Sequence, residues 1–170
     1  MLKSLARFSK GETMRLVLSG LFALLLSSTL AIAQPITPRE GWQVFETDFS
    51  YSALIERLEA AIKAENMGLV TQASASAGAR AQGYEIPGNR VIGVYRNDYA
   101  RRMLEASIAA GVEAPIRFYV VEDPDGGATL AWKTPSFVFA PYMEEGGEAL
   151  GALASELDGV FAAIAKRALQ

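Results

Sequence analysis

The apolar and polar positions of the chain fall into two regions. A mostly apolar stretch, LVLSGLFALLLSSTLAIA (16–33), comes first, and from Trp42 onward apolar residues recur at shorter intervals. Alternation of apolar and polar side chains is typical of half-buried strands, whereas spacings of three and four residues are typical of amphipathic helices. Both spacings occur between Trp42 and Leu169, which predicts one domain of mixed strands and helices.

Five segments have the character of strands. Each is rich in aromatic or β-branched residues and shows at least loose alternation. The predicted strands are 42–50 (WQVFETDFS), 67–75 (MGLVTQASA), 90–96 (RVIGVYR), 116–123 (IRFYVVED) and 128–133 (ATLAWK). The sequence DPDGG (123–127) supplies the Pro, Asp and Gly residues of a tight turn, so the last two strands are predicted to form an antiparallel hairpin.

The first helical pattern follows the first strand. We expect Ser50 or Ser52 to cap its start and Gly68 to close it. Its apolar stripe consists of Leu54, Ile55, Leu58, Ala61 and Ile62.

Two further helices are predicted later in the chain. The second should be capped by Asn97 or Asp98 and should end at Gly111. The third should extend from about Glu145 to Leu169, and an irregular aromatic-rich link, SFVFAPYMEEGG (136–147), should precede it. Its apolar stripe consists of Leu150, Leu153, Leu157, Phe161 and Ile164.

The order strand, helix, two strands, helix, two strands, helix predicts an α+β fold. A largely antiparallel sheet of about five strands, with helices packed on one face, would bury the apolar stripes of the helices. Neither internal repeats nor low-complexity segments divide residues 34–170, so we expect a single compact domain there.

The predicted hairpin separates two sets of side chains. Phe118 and its alternate neighbours point to one face, and Arg117 and Tyr119 point to the other. One face should lie on the core, while the other either meets water or forms the wall of a groove. The candidate residues of such a cleft are Arg117, Tyr119, Trp132 and Lys133.

Residues 1–33 have the pattern of a signal peptide. Four basic residues precede the apolar stretch, which ends in Ala31-Ile32-Ala33 before Gln34. Small residues at these positions are recognised by signal peptidase, so we predict cleavage after Ala33 and a periplasmic or secreted domain. Met14 is an alternative start. An uncleaved membrane anchor is the other interpretation of the leader, because its apolar stretch is just long enough to span a bilayer.

Composition excludes several kinds of chemistry. The chain contains no cysteine and no histidine, which excludes disulfides, His-dependent triads and metal sites built on imidazole or thiolate. We therefore predict neither a metal nor a cofactor. The leader holds four of the 16 basic and one of the 19 acidic side chains, so 12 and 18 remain and the formal charge is −6. This charge argues against a nucleic-acid partner.

Several of these segments together resemble the DUF302 domain, a bacterial and archaeal family whose name records an unknown function. The resemblance extends from about Phe49 to the final helix. It is carried by FSYSALIERLEAAIKAENMGLV (49–70), RVIGVYRND (90–98), APIRFYVVEDPDGGATLAWKTP (114–135) and the alanine-rich last helix. It implies a compact α+β domain with a curved antiparallel sheet, similar in layout to the TATA-box-binding-protein-like folds but without their DNA binding.

The chain departs from the family pattern at two places. Many members have Ile-Asp-His near the end of the second strand, where this chain has Val70-Thr71-Gln72. Many have Gly-Asn-Pro after the third strand, where this chain has Arg96-Asn97-Asp98. The resemblance therefore implies that any activity depending on that histidine is absent from this protein.

Four basic residues lie close together in an otherwise acidic domain, between Arg90 and Arg102. Two of them fall in the first turn of a predicted helix, where the helix dipole disfavours cations. A carboxylate, sulfate or phosphate bound to the exposed N–H groups would offset this cost. The candidate anion site consists of Arg96, Asn97, Arg101 and Arg102, which should then face the same cleft as Tyr119 or Lys133. The alternative is exposed arginines paired with Asp98 and Glu105.

Two other clusters have simpler explanations. Glu144, Glu145 and Glu148 lack the loop of alternating oxygen ligands that a calcium site needs, and acidic residues at a helix start complement its dipole. Four aromatic residues near the end of the hairpin either belong to the core or border an apolar ligand cleft between the sheet and the last helix. These are Trp132, Phe137, Phe139 and Tyr142.

The sequence favours a non-enzymatic module that binds a small ligand or acts as an accessory protein. It contains neither a nucleophile elbow nor a phosphate-binding glycine loop. The alternatives are an enzyme that uses Tyr, Arg or carboxylate groups and a module that docks a protein partner on the free face of the hairpin. A strongly shifted pKa in a deep polar pocket would favour the enzyme, and a flat apolar patch would favour the docking module.

Overall fold

The computed structural model of the protein describes residues 35–170; the predicted signal peptide lies outside the described residues. The strands are β1 (Trp42–Thr47), β2 (Gly68–Ala73), β3 (Asn89–Tyr95), β4 (Ile116–Glu122) and β5 (Ala128–Lys133). The α-helices are α1 (Tyr51–Ala64), α2 (Ala75–Ala81), α3 (Asn97–Ala106), α4 (Pro135–Phe139) and α5 (Met143–Leu169). Short 3₁₀ turns occupy Ala109–Glu113 and Ala140–Tyr142. None of the helices in this part of the chain combines the length and apolarity needed to cross a membrane.

The strands form one antiparallel sheet in the order β1-β5-β4-β3-β2. The predicted α+β fold, with a five-stranded antiparallel sheet and helices packed on it, is confirmed. The predicted hairpin is β4 and β5, and its turn has Gly126 at φ 91°, a conformation that glycine adopts without steric cost.

The core lies between one face of the sheet and helices α1, α3 and α5. The ring of Phe118 on β4 is stacked on that of Phe161 on α5, with centroids 4.7 Å apart, and meets the edge of Trp132 on β5 at 5.3 Å. The other large and fully buried side chains around this stack include Leu54, Leu58, Ile62, Ile92, Leu130, Leu150, Leu153 and Ile164. Burial of these apolar side chains is the main source of the stability of the domain.

Helix α1 begins as predicted and ends earlier. The hydroxyl of Ser50 accepts a hydrogen bond from the backbone N–H of Ala53, so the predicted serine cap is confirmed. The prediction that Gly68 closes the helix is wrong, because Asn66 takes the left-handed conformation at φ 56° and Gly68 already belongs to β2. Asparagine tolerates this conformation better than most residues, which is why the turn needs no glycine.

Helix α3 differs from its prediction at both ends. It begins at Asn97, and neither Asn97 nor Asp98 caps it. It ends at Ala106, five residues before the predicted end at Gly111, because the backbone of Ser107 is extended. The Ser107 hydroxyl instead accepts a hydrogen bond from the N–H of Ala110 and so starts the following 3₁₀ turn.

Short helices also occur between the strands and before α5. Between β2 and β3 lies α2, whose start is capped by Ser74. The link predicted to be irregular contains α4, with Thr134 as its cap and Pro135 in its first turn, where proline is well tolerated. Helix α5 begins at Met143 and is interrupted at Gly147, whose φ of 53° is not helical.

Candidate functional site

The face of the sheet opposite the helices, called here the outer face, carries the residues of the candidate site. Successive side chains of a strand point to opposite faces, so Arg117 and Tyr119 of β4 lie on the outer face, since Phe118 is in the core. Lys133 of β5 and its partner Trp42 of β1 lie there too. The prediction that Arg117, Tyr119 and Lys133 share one face agrees with this register.

A groove of about 670 Å³ opens on the outer face. Its volume is in the range of small-molecule sites. The residues around it include Trp42, Ala73, Ala75, Asn89, Val91, Glu113, Arg117, Tyr119, Lys133 and Val138. Trp132 also borders it, but the indole ring is buried and stacked on Phe45 at 5.6 Å, so this side chain belongs to the core.

The two cations of the groove are neighbours. Phe118 pairs with Trp132 across β4 and β5, and continuing this antiparallel register by one residue brings Arg117 opposite Lys133. Both side chains are exposed, and neither forms an ion pair with a carboxylate among residues 35–170. Like charges directly opposite each other in a sheet are destabilising. Neither cation therefore has its charge neutralised by an ion pair within these residues.

Aromatic groups flank these cations. The Lys133 ammonium lies 5.8 Å from the centroid of the Trp42 ring, and the Arg39 guanidinium lies 5.1 Å from it. Tyr119 follows Arg117 on the same face and is half-buried. Burial, together with the nearby Tyr51, raises the pKa of the Tyr119 phenol. Its hydroxyl group therefore stays protonated at neutral pH and can donate a hydrogen bond.

The other polar residues of the groove already have partners. The side-chain oxygen of Asn89 accepts hydrogen bonds from the backbone N–H groups of Ala75 and Ser76 at the start of α2. Glu113 accepts a hydrogen bond from the Tyr142 hydroxyl at 2.8 Å, which raises the pKa of that phenol. The groups left for a ligand are therefore the Arg117 guanidinium, the Lys133 ammonium and the Tyr119 hydroxyl.

The arginines of α3 lie elsewhere. The Arg96 guanidinium binds Asp98 at 2.7 Å and lies 4.1 Å from the centroid of the Tyr99 ring. Arg102 binds Glu156 at 2.8 Å, whereas Arg101 is exposed and forms no ion pair within the described part of the chain. None of Arg96, Asn97, Arg101 and Arg102 lines the outer-face groove. Their predicted anion binding stays a prediction, but it would have to use a site separate from that groove.

The ion pairs of α3 agree in part with the alternative to an anion site, in which the arginines are exposed and pair with Asp98 and Glu105. Arg96 pairs with Asp98 as that alternative expects, but Arg102 pairs with Glu156 of α5 and not with Glu105. Glu156 also accepts a hydrogen bond from the Tyr99 hydroxyl at 3.0 Å. These contacts join α3 to α5.

Acidification should weaken this contact between α3 and α5. Arg102 and, to a smaller degree, Tyr99 hold the pKa of Glu156 below its ordinary value of 4.5. A carboxylate with a lowered folded-state pKa stabilises the fold above its unfolded pKa, and this contribution is lost as the pH falls through the folded value. Replacing Glu156 with glutamine should therefore make the melting temperature less sensitive to pH below about pH 4.5. Thermal denaturation between about pH 3 and pH 7 measures this effect.

Glu148→Gln is the matched control, because Glu148 is an exposed residue of the same helix without an ion pair among residues 35–170. Its pH profile should follow that of the wild type. A Glu156→Gln profile parallel to the wild-type profile would contradict the expectation.

A second groove, of about 600 Å³, lies between β1 and the end of α5. Its apolar wall includes Phe45, Trp132, Ala162, Ala165 and Leu169. This is the location at which the sequence predicts an apolar ligand cleft between the sheet and the last helix. Of the four aromatic residues near the hairpin end, Trp132 and Phe139 are buried in the core, and Phe137 and Tyr142 lie nearer the surface. Ligand binding in this groove stays a prediction.

Metal binding has no geometric support within the part of the chain that the structure describes. No group of three or more acidic side chains there is placed to hold a metal ion. The carboxylate of Glu145 is engaged instead by the hydroxyl group of Ser107.

Sequence reasoning missed the contribution of Trp42. It lies in a correctly predicted strand, but only the pairing of β1 with β5 brings it next to Lys133. Nothing local in the sequence indicates that the first and last strands are neighbours.

Comparison with known proteins agrees with the fold. The family described as "Domain of unknown function DUF302" matches residues 43–164. The crystal structure of an uncharacterized conserved DUF302 protein from Bacillus stearothermophilus is similar, with a TM-score of 0.67 and 20% sequence identity over 76% of this chain and 98% of that chain. No curated protein matches the sequence. Because the family match covers most of the domain, this chain belongs to the DUF302 family.

Proposed function

We propose that this protein is an exported, non-enzymatic binding domain that holds a small organic anion in the outer-face groove. The observation that carries the proposal is the adjacent pair of Arg117 and Lys133, two exposed cations without a carboxylate partner in residues 35–170. Export rests on the signal-peptide pattern of residues 1–33.

The energetics of the groove support this role. A bound anion would remove the repulsion between the two cations and accept hydrogen bonds from both. A hydrogen bond to a charged group contributes about 1.5–3 kcal/mol, and the exposure of both side chains places the value here toward the lower end. The domain has a formal charge of −6 without its leader, so the attraction is local and does not come from the whole surface.

The pKa shifts of the protein support binding more than catalysis. An enzyme of this composition would need a Tyr or carboxyl group whose pKa approaches the working pH. The Tyr and carboxyl groups of residues 35–170 whose pKa is shifted move away from neutral pH: the pKa values of Asp98 and Glu156 are lowered, and those of Tyr99, Tyr119 and Tyr142 are raised. Each group keeps its ordinary charge at neutral pH.

The protein-docking alternative has weaker support. It needs a flat apolar patch on the free face of the hairpin. The most exposed large apolar side chains of the described residues are Ile108, at 83%, and Val112, at 76%, and they lie in and beside the 3₁₀ turn after α3. On the outer face of the hairpin, the exposed cations Arg117 and Lys133 lie beside the uncharged side chains, so this face is not a purely apolar patch.

Replacing both Arg117 and Lys133 with alanine should weaken anion binding by about 10- to 100-fold, since each lost factor of ten corresponds to about 1.4 kcal/mol. Isothermal titration calorimetry with acetate and with phenylacetate, at low ionic strength, measures the affinity. Screening by added salt should also lower the wild-type affinity, because both cations are exposed.

The matched control is the double variant Arg101→Ala, Arg102→Ala, which removes the same charge from the other candidate anion site. It should bind both carboxylates as the wild type does. Unchanged affinity in the groove variant, or a loss confined to the α3 variant, would overturn the proposal.

A further inference from the structure

The outer-face groove contains more than its two cations. The sheet register arranges its side chains in two neighbouring rows. The first row runs across the sheet through Trp42, Lys133, Arg117, Gly93 and Thr71. The second row, two residues along each strand, runs through Val44, Ala131, Tyr119, Val91 and Ala73. The first row carries both cations, and the second has no charged side chain.

The rows are separated by a distance that suits a small amphipathic molecule. Residues i and i+2 of a strand are about 6.6–6.8 Å apart, so the backbone of the second row lies about that far from the backbone of the first row. Among these second-row side chains, Tyr119, Val91 and Ala73 border the groove. If the charged group of a ligand lies on the first row, the second row offers an aromatic and aliphatic surface to the uncharged part of the ligand. The spacing of the rows suits an uncharged part about as wide as one ring.

The groove also has room for more than an inorganic anion. Its volume of about 670 Å³ is far larger than an inorganic anion needs, because a water molecule in the liquid occupies about 30 Å³. The Tyr119 ring supplies the face on which another ring can stack.

We infer that the ligand is an aryl monocarboxylate, with its carboxylate between Arg117 and Lys133 and its ring against Tyr119 and Val91. This inference rests on the proposed function, since it names the class of anion that the groove takes. An inorganic anion would use only the first row, and an uncharged aromatic compound only the second.

The test compares phenylacetate with acetate and sulfate, by calorimetry on the wild type and on variants of the second row. The wild type should bind phenylacetate at least about tenfold more tightly than acetate, since the ring buries apolar surface. Tyr119→Ala should remove most of this preference, whereas Tyr119→Phe, which keeps the ring, should retain it. Val91→Ala is a second variant that reduces the preference without removing an aromatic side chain.

The outcomes separate the two claims. If both carboxylates depend on Arg117 and Lys133 but bind equally well, the aryl inference is overturned and the proposed function stands. If neither carboxylate depends on these cations, the proposed function itself is overturned. A preference for phenylacetate that survives in both Tyr119→Ala and Val91→Ala would place the ring elsewhere and also overturn the inference.

Discussion

Replacing Phe118 with alanine is expected to lower the free energy of unfolding by about 3–5 kcal/mol. Phe118 is fully buried at the centre of the sheet, between the rings of Trp132 and Phe161. The smaller side chain loses both aromatic contacts and leaves a cavity that the sheet and α5 cannot fill without moving. Urea denaturation followed by circular dichroism measures the change.

Phe45→Ala is the matched control for this prediction. Phe45 also stacks on Trp132, at 5.6 Å, but it lies on an edge strand and is 41% exposed. Its replacement should cost about 1 kcal/mol, the value of one partly exposed aromatic pair. Equal losses for the two variants would mean that the core is not centred on Phe118.

Replacing Gly127 with alanine should destabilise the domain by about 1–3 kcal/mol or more. Gly127 lies in the β4–β5 turn, and a Cβ atom there would overlap the backbone carbonyl oxygen of Thr47 at the end of β1. A backbone atom of a paired strand cannot move aside as a flexible side chain can. Thermal denaturation of the purified variant should show a lower melting temperature.

The control is another glycine-to-alanine substitution, but this one is expected to stabilise the protein. Gly159 lies within α5, and a Cβ atom there would project into open space. Gly159→Ala should therefore stabilise the protein by about 0.5–1 kcal/mol, because alanine favours the helix. A stabilising Gly127→Ala would show that β1 is not held against the turn.

The parts of the fold that the sequence predicts are those with local causes. The Ser50 cap and the DPDGG turn act on residues close to them in the chain, so α1 and the β4–β5 hairpin follow from sequence alone. The ends of α1 and α3 do not, because Asn66 and Ser107 terminate these helices where the sequence suggests a glycine. Strand order cannot be predicted from local sequence either, since β1 pairs with a strand more than 80 residues later.

The residues of the candidate site likewise divide into those that a local pattern places and those that only the tertiary fold places. Alternation along β4 and β5 is enough to place Arg117, Tyr119 and Lys133 on one face. The position of Trp42 beside Lys133 depends on the pairing of β1 with β5. The pairing of Arg102 with Glu156 likewise depends on the packing of α3 against α5, which no local pattern encodes.

A crystal structure of the protein with 4-iodophenylacetate tests the central claim most directly, because the anomalous signal of iodine locates the ring and the density locates the carboxylate. We expect the carboxylate between the Arg117 guanidinium and the Lys133 ammonium, and the iodine-bearing ring against Tyr119 on the outer face. A ligand bound instead beside Arg101, or in the groove between β1 and α5, would contradict the account. So would an empty outer-face groove at a ligand concentration that saturates the protein in solution.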